Sequence, residues 1–451
     1  MLRNERAYAL FLVISMVAVL SFIFIGILTV YRVRFGQVVR FGNNVKARYM
    51  AEAGIERAKY LLSTKPSEHA GQAEEVLSER AGYRVTYADI GGFIEVKSMG
   101  YTVRESVTVT ALLGERNPAS LVSAVRLNHE GGDCVVAGKN EIIGSVTLIK
   151  GQLFESRVTG FPFLGDTACN GPIIRKEKED TLFDAAIKES IKQQKGWLVE
   201  MSRYDEVFHS SITIDNKTYR AASFRNKKVF VEGMLFITDS VDLSGGEFVT
   251  EQMVYIENKS RLRNCVIVTS GGLILRSGSK VRECRILTRK SVWIQDSSSL
   301  SGIVMAEDSI KIEGQAKTLY PTFVYSWPAI ADLHLQGGIF LTTNQPLSGV
   351  FVVAERDTAH TLVRFDPLQC FCYIAPQTEI TGLVYNNYTT DYEGKIKGHI
   401  TTDGFVLLRN NKTYGNFLNN TLTDRTALSD QWVVPAIFSK EPEWAVLSLT
   451  D

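Results

Sequence analysis

The sequence has little of what marks a metal-binding, disulfide-rich or nucleic-acid-binding protein. It holds six cysteines and six histidines in 451 residues, and neither set has the paired spacing of a zinc site. Six cysteines in so long a chain are too few for the disulfide framework of a small secreted domain. The 50 basic and 49 acidic residues give a net charge of +1, so there is no basic footprint for nucleic acid. We therefore expect no metal, no cofactor and no nucleic-acid partner.

Catalytic motifs are also nearly absent. The chain contains no G-x-S-x-G, no H-E-x-x-H and no glycine-rich phosphate loop. Ser277 and Lys280 form an S-x-x-K string, but this string falls in a predicted turn and has no supporting motif. We interpret it as a chance occurrence and predict no catalytic residues.

An uncharged apolar segment occupies the amino terminus, where no charged residue occurs between Arg6 and Arg32. As a helix, the intervening residues 7–31 reach ~37 Å, which is enough to cross a hydrocarbon core of ~30 Å. A signal peptide has a shorter apolar region that ends at a small-residue cleavage site, and neither feature is present. We predict a membrane anchor that is retained, with its transmembrane part at residues 8–31.

The same helix is predicted to continue well beyond the membrane. No proline occurs between Arg32 and about Ser63, and four apolar residues recur at helical spacing: Val38, Phe41, Val45 and Tyr49. Glycines 36, 42 and 54 weaken the helix by up to ~1 kcal/mol each, so contacts with partners are expected to hold it. Pro66 disfavours helix at Lys65. The prediction is one stalk helix over residues 8–65.

Two segments of this helix carry a family resemblance. RAYALFLVISMVAVL and KARYMAEAGIERAKYLL resemble the amino-terminal domain of PilX-type minor pilins and, more loosely, the large minor pseudopilins of type II secretion. In those families a membrane peptidase removes a short basic leader. The resemblance places this cut between Ala7 and Tyr8, although most pilins have glycine at the cut. Leu12 stands where major pilins have glutamate, which PilX-type sequences often lack too. The AEAG run at 51–54 is the more specific motif.

The resemblance implies an assembly role for the helix. Its membrane and assembly residues would be Leu10, Leu12, Val13, Val17, Leu20, Phe24 and Glu52. The implied partners are other pilins or pseudopilins, the pilus assembly machinery, prepilin peptidase and membrane lipid. The implied location is a single-pass inner membrane protein with its head outside the cytoplasm, and the pilus or cell surface after assembly.

The charges that flank the apolar segment favour the opposite orientation. Only Arg3 and Arg6 precede the segment, whereas five basic residues follow it within 17 positions: Arg32, Arg34, Arg40, Lys46 and Arg48. Basic residues usually mark the cytoplasmic side of a membrane helix. The leader pattern and the glycine-rich strands that follow are typical of exported pilin-like chains, and we favour export for that reason.

A small sheet is predicted after the stalk. Residues 66–82 are polar and are predicted to form a loop. Three segments then alternate with the period of two that is typical of strands, at 84–87, 93–96 and 105–112. We predict a linker and β-meander at 66–117 that packs against the lower end of the stalk.

A repeat of 19 residues, starting at 222, 241, 260 and 279, is the most regular signal in the chain. It aligns four apolar columns: Phe224, Leu243, Leu262 and Val281; Val229, Phe248, Ile267 and Ile286; Leu235, Val254, Leu273 and Val292; Ile237, Ile256, Leu275 and Ile294. A fixed period of short strands and turns is the signature of a β-solenoid. No such turn is stable alone, because its core residues are buried only when it stacks on its neighbours.

A glycine pattern extends the repeat to both sides. An apolar-x-Gly-x-apolar string recurs at 142–146, 300–304, 347–351, 380–384 and 396–400, which indicates a tight corner. We predict one β-solenoid over 118–425 and a carboxyl-terminal tail at 426–451. An insertion at about 155–215 interrupts it, with a helix at 181–195 whose apolar stripe is Phe183, Ile187 and Ile191.

One set of apolar residues lies between the third and fourth columns: Phe236, Tyr255, Ile274 and Trp293. Strand alternation should point these side chains away from the core. A second such set is Phe230, Val249, Val268 and Leu287. Either the inserted helix or the meander covers these residues within the same chain, or they form a contact face for sugar rings or a neighbouring pilin.

The predicted fold class is mainly β with a long N-terminal helix: a membrane-spanning pilin-like stalk, a small meander, and an irregular parallel β-solenoid with a helical insertion. The predicted function is that of a non-enzymatic minor component of a type IV pilus or related secretion filament. The alternative is a membrane-tethered carbohydrate-active or carbohydrate-binding solenoid protein, since solenoids also host such enzymes. A surface glycan is the further candidate partner.

Overall fold

The computed structural model describes residues 2–64, 72–78, 81–90, 92–116, 118, 121–177, 204–327, 337–354, 370–409, 412–429, 432–436, 438 and 442–450. It confirms the fold class, because one long helix is followed mainly by strands, most of them in a large parallel sheet wound as a solenoid. The chain divides into two compact units. The first comprises Met1–Asp89, Ile94–Leu113 and Val446–Asp451, and the second comprises Ile90–Phe93 and Gly114–Ala445.

The first unit begins with helix α1, Leu2–Thr64, which is 63 residues long. Its stretch Phe11–Thr64 is long and apolar enough to cross a membrane, with a mean hydropathy of 2.9 in its most apolar window. From Phe11 to Val38 every side chain is exposed. An apolar helix with no protein around it requires another apolar environment, such as lipid.

Four antiparallel strands follow α1: β1 Gln72–Ser78, β2 Ala81–Ile90, β3 Phe93–Thr102 and β4 Ser106–Arg116. The prediction of a loop over 66–82 is wrong where β1 lies, because Gln72 pairs with Thr86 of β2. A polar strand suits this position, since β1 is at the edge of the sheet. The strand Trp444–Thr450 pairs with β4.

A row of small residues on α1 packs against the meander. The buried face of the helix consists of Ala47, Ala51, Gly54, Ile55, Ala58 and Leu62. A Cβ atom at Gly100 of β3 would overlap the backbone of Ala47 and Ala51, and one at Gly54 would overlap the hydroxyl of Ser98. The AEAG motif therefore lets α1 approach its own sheet closely, which confirms that the meander packs against the lower stalk.

The second unit is built from three-sided coils. Long strands bend around a corner and cover two sides: Asp242–Thr250, Arg261–Thr269, Lys280–Thr288, Ser299–Ala306, Lys317–Ser326, Leu347–Val353, Glu379–Tyr392 and Lys395–Arg409. Short strands form the third side: Ile212–Ile214, Leu235–Ile237, Val254–Ile256, Leu273–Leu275, Val292–Ile294, Ser309–Gly314, Gly338–Thr343 and Cys370–Ile374. In the two coils before Asp242, a short strand alone forms the second side. These strands are Glu206–Phe208 and Lys228–Val231.

Each coil pairs in parallel with the next, in the predicted register. Leu243 pairs with Leu262, Phe248 with Ile267, and Val254 with Leu273. The four columns are buried and form the solenoid core. One column member differs from the prediction, because Phe224 lies in the 3₁₀ helix Ala221–Phe224 rather than in a strand.

Glycines form one corner of the solenoid, as the repeated pattern predicts. Gly382 and Gly398 pair in register with φ angles of +140° and +150°, a region that side chains disfavour. A Cβ at Gly398 would overlap the carbonyl oxygen of Gly382. Gly144, Gly302 and Gly349 of the same pattern also have positive φ.

The remaining strands place the first coils on top of the last ones. These strands are Val125–Leu127, Cys134–Ala137, Glu141–Ile143, Val146–Ile149, Leu153–Glu155, Ile173–Lys176, Lys412–Gly415, Phe417–Asn419 and Leu422–Asp424, with the hairpin pair Arg157–Val158 and Phe161–Pro162. The short strand Val433–Val434 instead pairs antiparallel with β4. Val125 pairs with Ile400, and Val146 and then Ile173 extend the stack. The amino-terminal coils thus continue the solenoid beyond its carboxyl-terminal coils.

This order corrects the predicted insertion. Ile173–Lys176, Glu206–Phe208 and Ile212–Ile214 are solenoid strands, so the bounds 155–215 are too wide. Residues 125–176 do not stack in chain order, because they pair beyond the carboxyl-terminal coils. The helix predicted at 181–195, with Phe183, Ile187 and Ile191, lies outside the described residues.

A buried histidine joins the first coil to the last. His399 Nδ1 hydrogen-bonds to the carbonyl oxygen of Ser123, and Nε2 to the Thr401 hydroxyl. Burial lowers the pKa of His399 to about 3, so the imidazole is neutral at physiological pH. Backbone bonds from Ile400 N to Ala124 O (3.0 Å) and from Asn128 N to Thr402 O (2.9 Å) complete the seam.

The close packing of α1 on β3 makes a stability prediction. Gly100→Ala places a methyl group against the backbone of α1 and should cost about 1–3 kcal/mol in the free energy of unfolding. Gly42→Ala is the matched control, because nothing lies within 4 Å of the added Cβ; it should be neutral or stabilising by up to about 1 kcal/mol. Thermal unfolding of the full-length protein in detergent measures both, and equal stabilities of the two variants would contradict the packing.

Candidate functional sites: the helix surface and the outer stripe

The predicted processing site lies in the first turns of α1. The backbone is helical through Ala7, Tyr8 and Leu10, and the side chains of these residues lie outside the description. Cleavage between Ala7 and Tyr8 therefore stays a prediction.

The predicted membrane residues from Leu12 to Phe24 are on the surface of α1. Leu12, Val13, Val17, Leu20 and Phe24 are each more than half exposed. At 100° per residue, Val13, Val17, Leu20 and Phe24 lie within about 60° of one another on one side of the helix. None of the membrane-length window is buried. What the chain offers here is an apolar cylinder, which lipid tails or other apolar helices could cover.

An exposed apolar face continues beyond the membrane-length segment. Val38 is 68% exposed and Phe41 is 72% exposed, and Tyr49 follows on the same side. At 100° per residue this face is opposite to the one that Ala47 and Ala51 bury. The predicted stripe therefore does not pack on the meander, and we call it the free stalk face: Val38, Phe41, Val45 and Tyr49.

Glu52 lies on the side of the free stalk face. Its carboxylate is 3.2 Å from the Nε of Arg48, one turn earlier. Both side chains are about half exposed, so this pair contributes a few tenths of a kcal/mol. Glu52 is therefore a charge already partnered within its own helix.

Three glycines leave notches on the exposed part of α1. A Cβ at Gly26, Gly36 or Gly42 would meet nothing within 4 Å. Small residues on the surface of a membrane helix let a second helix come close, where packing contacts replace the missing hydrophobic driving force.

The predicted contact face forms one continuous column on the short-strand side of the solenoid. Phe236 pairs with Tyr255, Tyr255 with Ile274, and Ile274 with Trp293. The same register continues through three residues that the sequence analysis did not include: Lys311, Phe340 and Tyr373. We call these seven residues the outer stripe. Lys311 could have been found from the sequence. It lies between Ile310 and Ile312, just as the other members lie between the third and fourth apolar columns.

The rings of the outer stripe cover one another. Phe236 and Tyr255 are stacked with centroids 4.9 Å apart and planes 9° from parallel. The Lys311 ammonium lies 5.4 Å from the ring centroid of Trp293 and 5.6 Å from that of Phe340. Trp293 remains 40% exposed. Because these ring faces already have partners within the chain, mainly ring edges are presented outward.

The second apolar set is partly buried. Val268 and Leu287 are buried, whereas Val249 and Phe230 are half-buried, and Phe230 packs against Tyr204 with a centroid distance of 5.0 Å. The column continues through the buried Met305 and Tyr325. The inserted helix that was predicted to cover this set lies outside the described residues, so that explanation stays a prediction.

The charged groups of the described residues are held mainly by neighbours in the chain. No group of three or more metal-binding side chains occurs among these residues. Burial and the neighbouring Glu393 raise the pKa of Asp391 to about 7, but Asp391 is only 5% exposed, and Glu393 is held by Arg409. Ser277 lies at a turn with φ +57°, and Lys280 begins the next strand.

Comparison with known proteins gives a likeness to solved structures alone. No family model and no curated protein matches the sequence. Among solved structures, the competence-associated pilin ComZ from Thermus thermophilus is similar, with 12% sequence identity and a TM-score of 0.23 over 90% of this chain and 97% of that chain. A TM-score of this size does not establish a shared fold. The PilX-type resemblance therefore stays a hypothesis drawn from the sequence.

The stacking in the outer stripe predicts that its rings hold coils together. Tyr255→Ala removes a ring stacked on Phe236 and should cost about 1–3 kcal/mol in the free energy of unfolding, and Trp293→Ala a similar amount. Chemical unfolding of the full-length protein measures this loss. Val207→Ala, at an exposed strand position of the terminal coil, is the control. Wild-type stability of both stripe variants would contradict a stacking role.

Proposed function

We propose that this chain is a pilin-like, membrane-anchored structural protein, a minor component of a type IV pilus or a related secretion filament. The observation that carries the proposal is the division of α1. Its first half is an exposed apolar cylinder, and its second half packs through Ala47, Ala51 and Gly54 on a small antiparallel sheet. One unbroken helix thus joins a membrane-length segment to a folded unit.

In this proposal the helix moves from lipid into a bundle of like helices. Prepilin peptidase would cut between Ala7 and Tyr8, and Tyr8 would become the amino terminus. Leu10, Leu12, Val13, Val17, Leu20 and Phe24 would contact lipid before assembly and other pilin helices afterwards. An apolar side chain is solvated equally well by lipid tails and by other apolar side chains, so the hydrophobic effect does not favour the bundle. Close packing at Gly26, Gly36 and Gly42 would favour it instead.

The free stalk face would contact neighbouring subunits outside the membrane. Val38 and Phe41 are too exposed to stabilise this chain in water and lie beyond the predicted membrane span. Burying a Phe or Val side chain in an interface contributes roughly 1.5–3 kcal/mol each. Glu52 and its partner Arg48, on the same side, would face the neighbouring stalks as an ion pair.

The solenoid would be the head of this protein. A unit of this size is hard to repeat at every step of a thin fibre, so we place the chain at the tip or in the initiation complex. The head would stay outside the cytoplasm, first at the inner membrane and then on the pilus or cell surface. The basic residues after the anchor favour the opposite topology, so the location of the head is part of the test.

We propose a non-enzymatic role for the head. Among the described residues, the pKa of Asp391 rises to about 7, as in a general acid or base. Its carboxyl is buried, however, and is not presented to a substrate. The outer stripe supports coil stacking, and its exposed edges suit a protein partner better than a sugar ring, which requires an open aromatic face. A surface glycan therefore ranks below a neighbouring pilin as its partner.

The experiment compares two exposed apolar positions of the first unit. Phe41→Glu charges the free stalk face, and Val103→Glu makes the same change in the turn after β3, where Val103 is 66% exposed. Filaments are sheared from the cells that make the protein, and the chain is quantified by immunoblot. We expect wild type and Val103→Glu in the filament fraction, and Phe41→Glu reduced at least tenfold with unchanged membrane levels. Absence of the wild-type chain from filaments, or full recovery of Phe41→Glu, would contradict the proposal.

A further inference from the structure

Two cysteines occupy the same corner of neighbouring coils. Cys265 pairs with Gly246 of the coil before it, and Cys284 pairs with Gly302 of the coil after it. The flanking pairs Arg263–Arg282 and Val266–Arg285 place the two cysteines opposite each other in adjacent strands. Both side chains are 1% exposed. The corner that glycine forms elsewhere is therefore filled by two thiols.

The two thiols are oriented alike and in contact. The backbone N–H of Cys265 donates to the Sγ of Cys284 at 3.4 Å. Each thiol donates to the carbonyl two residues earlier, Cys265 to Arg263 at 3.3 Å and Cys284 to Arg282 at 3.2 Å. Adjacent parallel strands lie about 4.8 Å apart, a Cα separation within the range that disulfides use. A bond between the two sulfurs needs rotation about side-chain bonds and a small approach of the two strands, because the Cβ atoms of a disulfide lie about 3.5–4.5 Å apart.

We propose that Cys265 and Cys284 form a disulfide that staples two adjacent coils of the solenoid in an oxidising environment. The bond would close a loop of one coil in the regular part of the stack. Since coils of a solenoid contact only their neighbours, one such link restrains local opening at that point. Its formation in the cell rests on the proposed location of the head outside the cytoplasm.

The chemistry is thiol–disulfide exchange with a disulfide-bearing oxidant. The Cys265 thiolate attacks one sulfur of the oxidant and releases its other half as a thiolate. The Cys284 sulfur then loses its proton and displaces the second half, so the pair loses two electrons and two protons and the oxidant becomes two thiols. In the closed coil, burial raises the pKa of Cys284, so neither buried thiol reacts readily there. Because both are buried, exchange takes place while a coil is open.

The test is a cross-linked peptide. The full-length protein in detergent is incubated with a mixture of oxidised and reduced glutathione, with and without sub-denaturing urea to let coils open. Free thiols are then alkylated and the protein is digested with trypsin without reduction. We expect residues 264–276 linked to residues 283–285, and a melting temperature about 5 °C above that of the reduced protein. No such peptide in either condition, or another cysteine pairing in its place, would overturn the proposal.

Cysteine variants test the disulfide itself, and measurements in cells test the location of the head. Cys265→Ala and Cys284→Ala should each abolish both the peptide and the shift, whereas Cys372→Ala, a buried cysteine on the short-strand side, should keep them. A shift that survives in Cys284→Ala would count against the staple. Alkylation in intact, acid-quenched cells then reports the compartment. A pair that oxidises in the purified protein but is reduced in cells would leave the staple standing and contradict export of the head.

Discussion

Parallel, in-register stacking of coils is the constraint on which the second unit depends. Each coil is too small to bury its own apolar residues, so its backbone groups and inward side chains are satisfied only by the coils on either side. The register fixes which residues meet, and a residue in one coil therefore faces its counterpart about 19 positions away. Leu243, Leu262 and Val281 meet in the core for this reason, and Gly382 and Gly398 meet at the corner.

The same register explains features outside the core. Phe236 stacks on Tyr255, and Lys311 lies between Trp293 and Phe340, because identical positions of successive coils are about 4.8 Å apart, close to the spacing of stacked rings. Cys265 and Cys284 are neighbours for the same reason. In the first unit a different constraint operates: α1 approaches its sheet through Ala47, Ala51 and Gly54, and this leaves Val38 and Phe41 on the opposite side without cover from the sheet.

The sequence predicts those parts of the fold that repeat and fails for those that do not. The columns follow from a 19-residue period, the glycine corners from a recurring apolar-x-Gly-x-apolar pattern, and the membrane-length helix from its lack of charge. The stacking of Val125 on Ile400 could not be predicted, since it joins distant residues without any period, through backbone pairing and the buried His399. Strand β1 was missed because a polar edge strand reads like a loop. The free stalk face was found from helical spacing. That the opposite face packs on the sheet could not be predicted, because the close approach at Gly100 of β3 leaves no periodic signal in the sequence.

The central claim is that α1 is a processed stalk helix and not merely a retained anchor. The most direct measurement is mass spectrometry of the intact chain purified from the membranes of the cells that make it, followed by sequencing of its amino-terminal peptide. The account predicts a chain that has lost residues 1–7 and begins at Tyr8. A chain that still carries Met1 through Ala7 would contradict it.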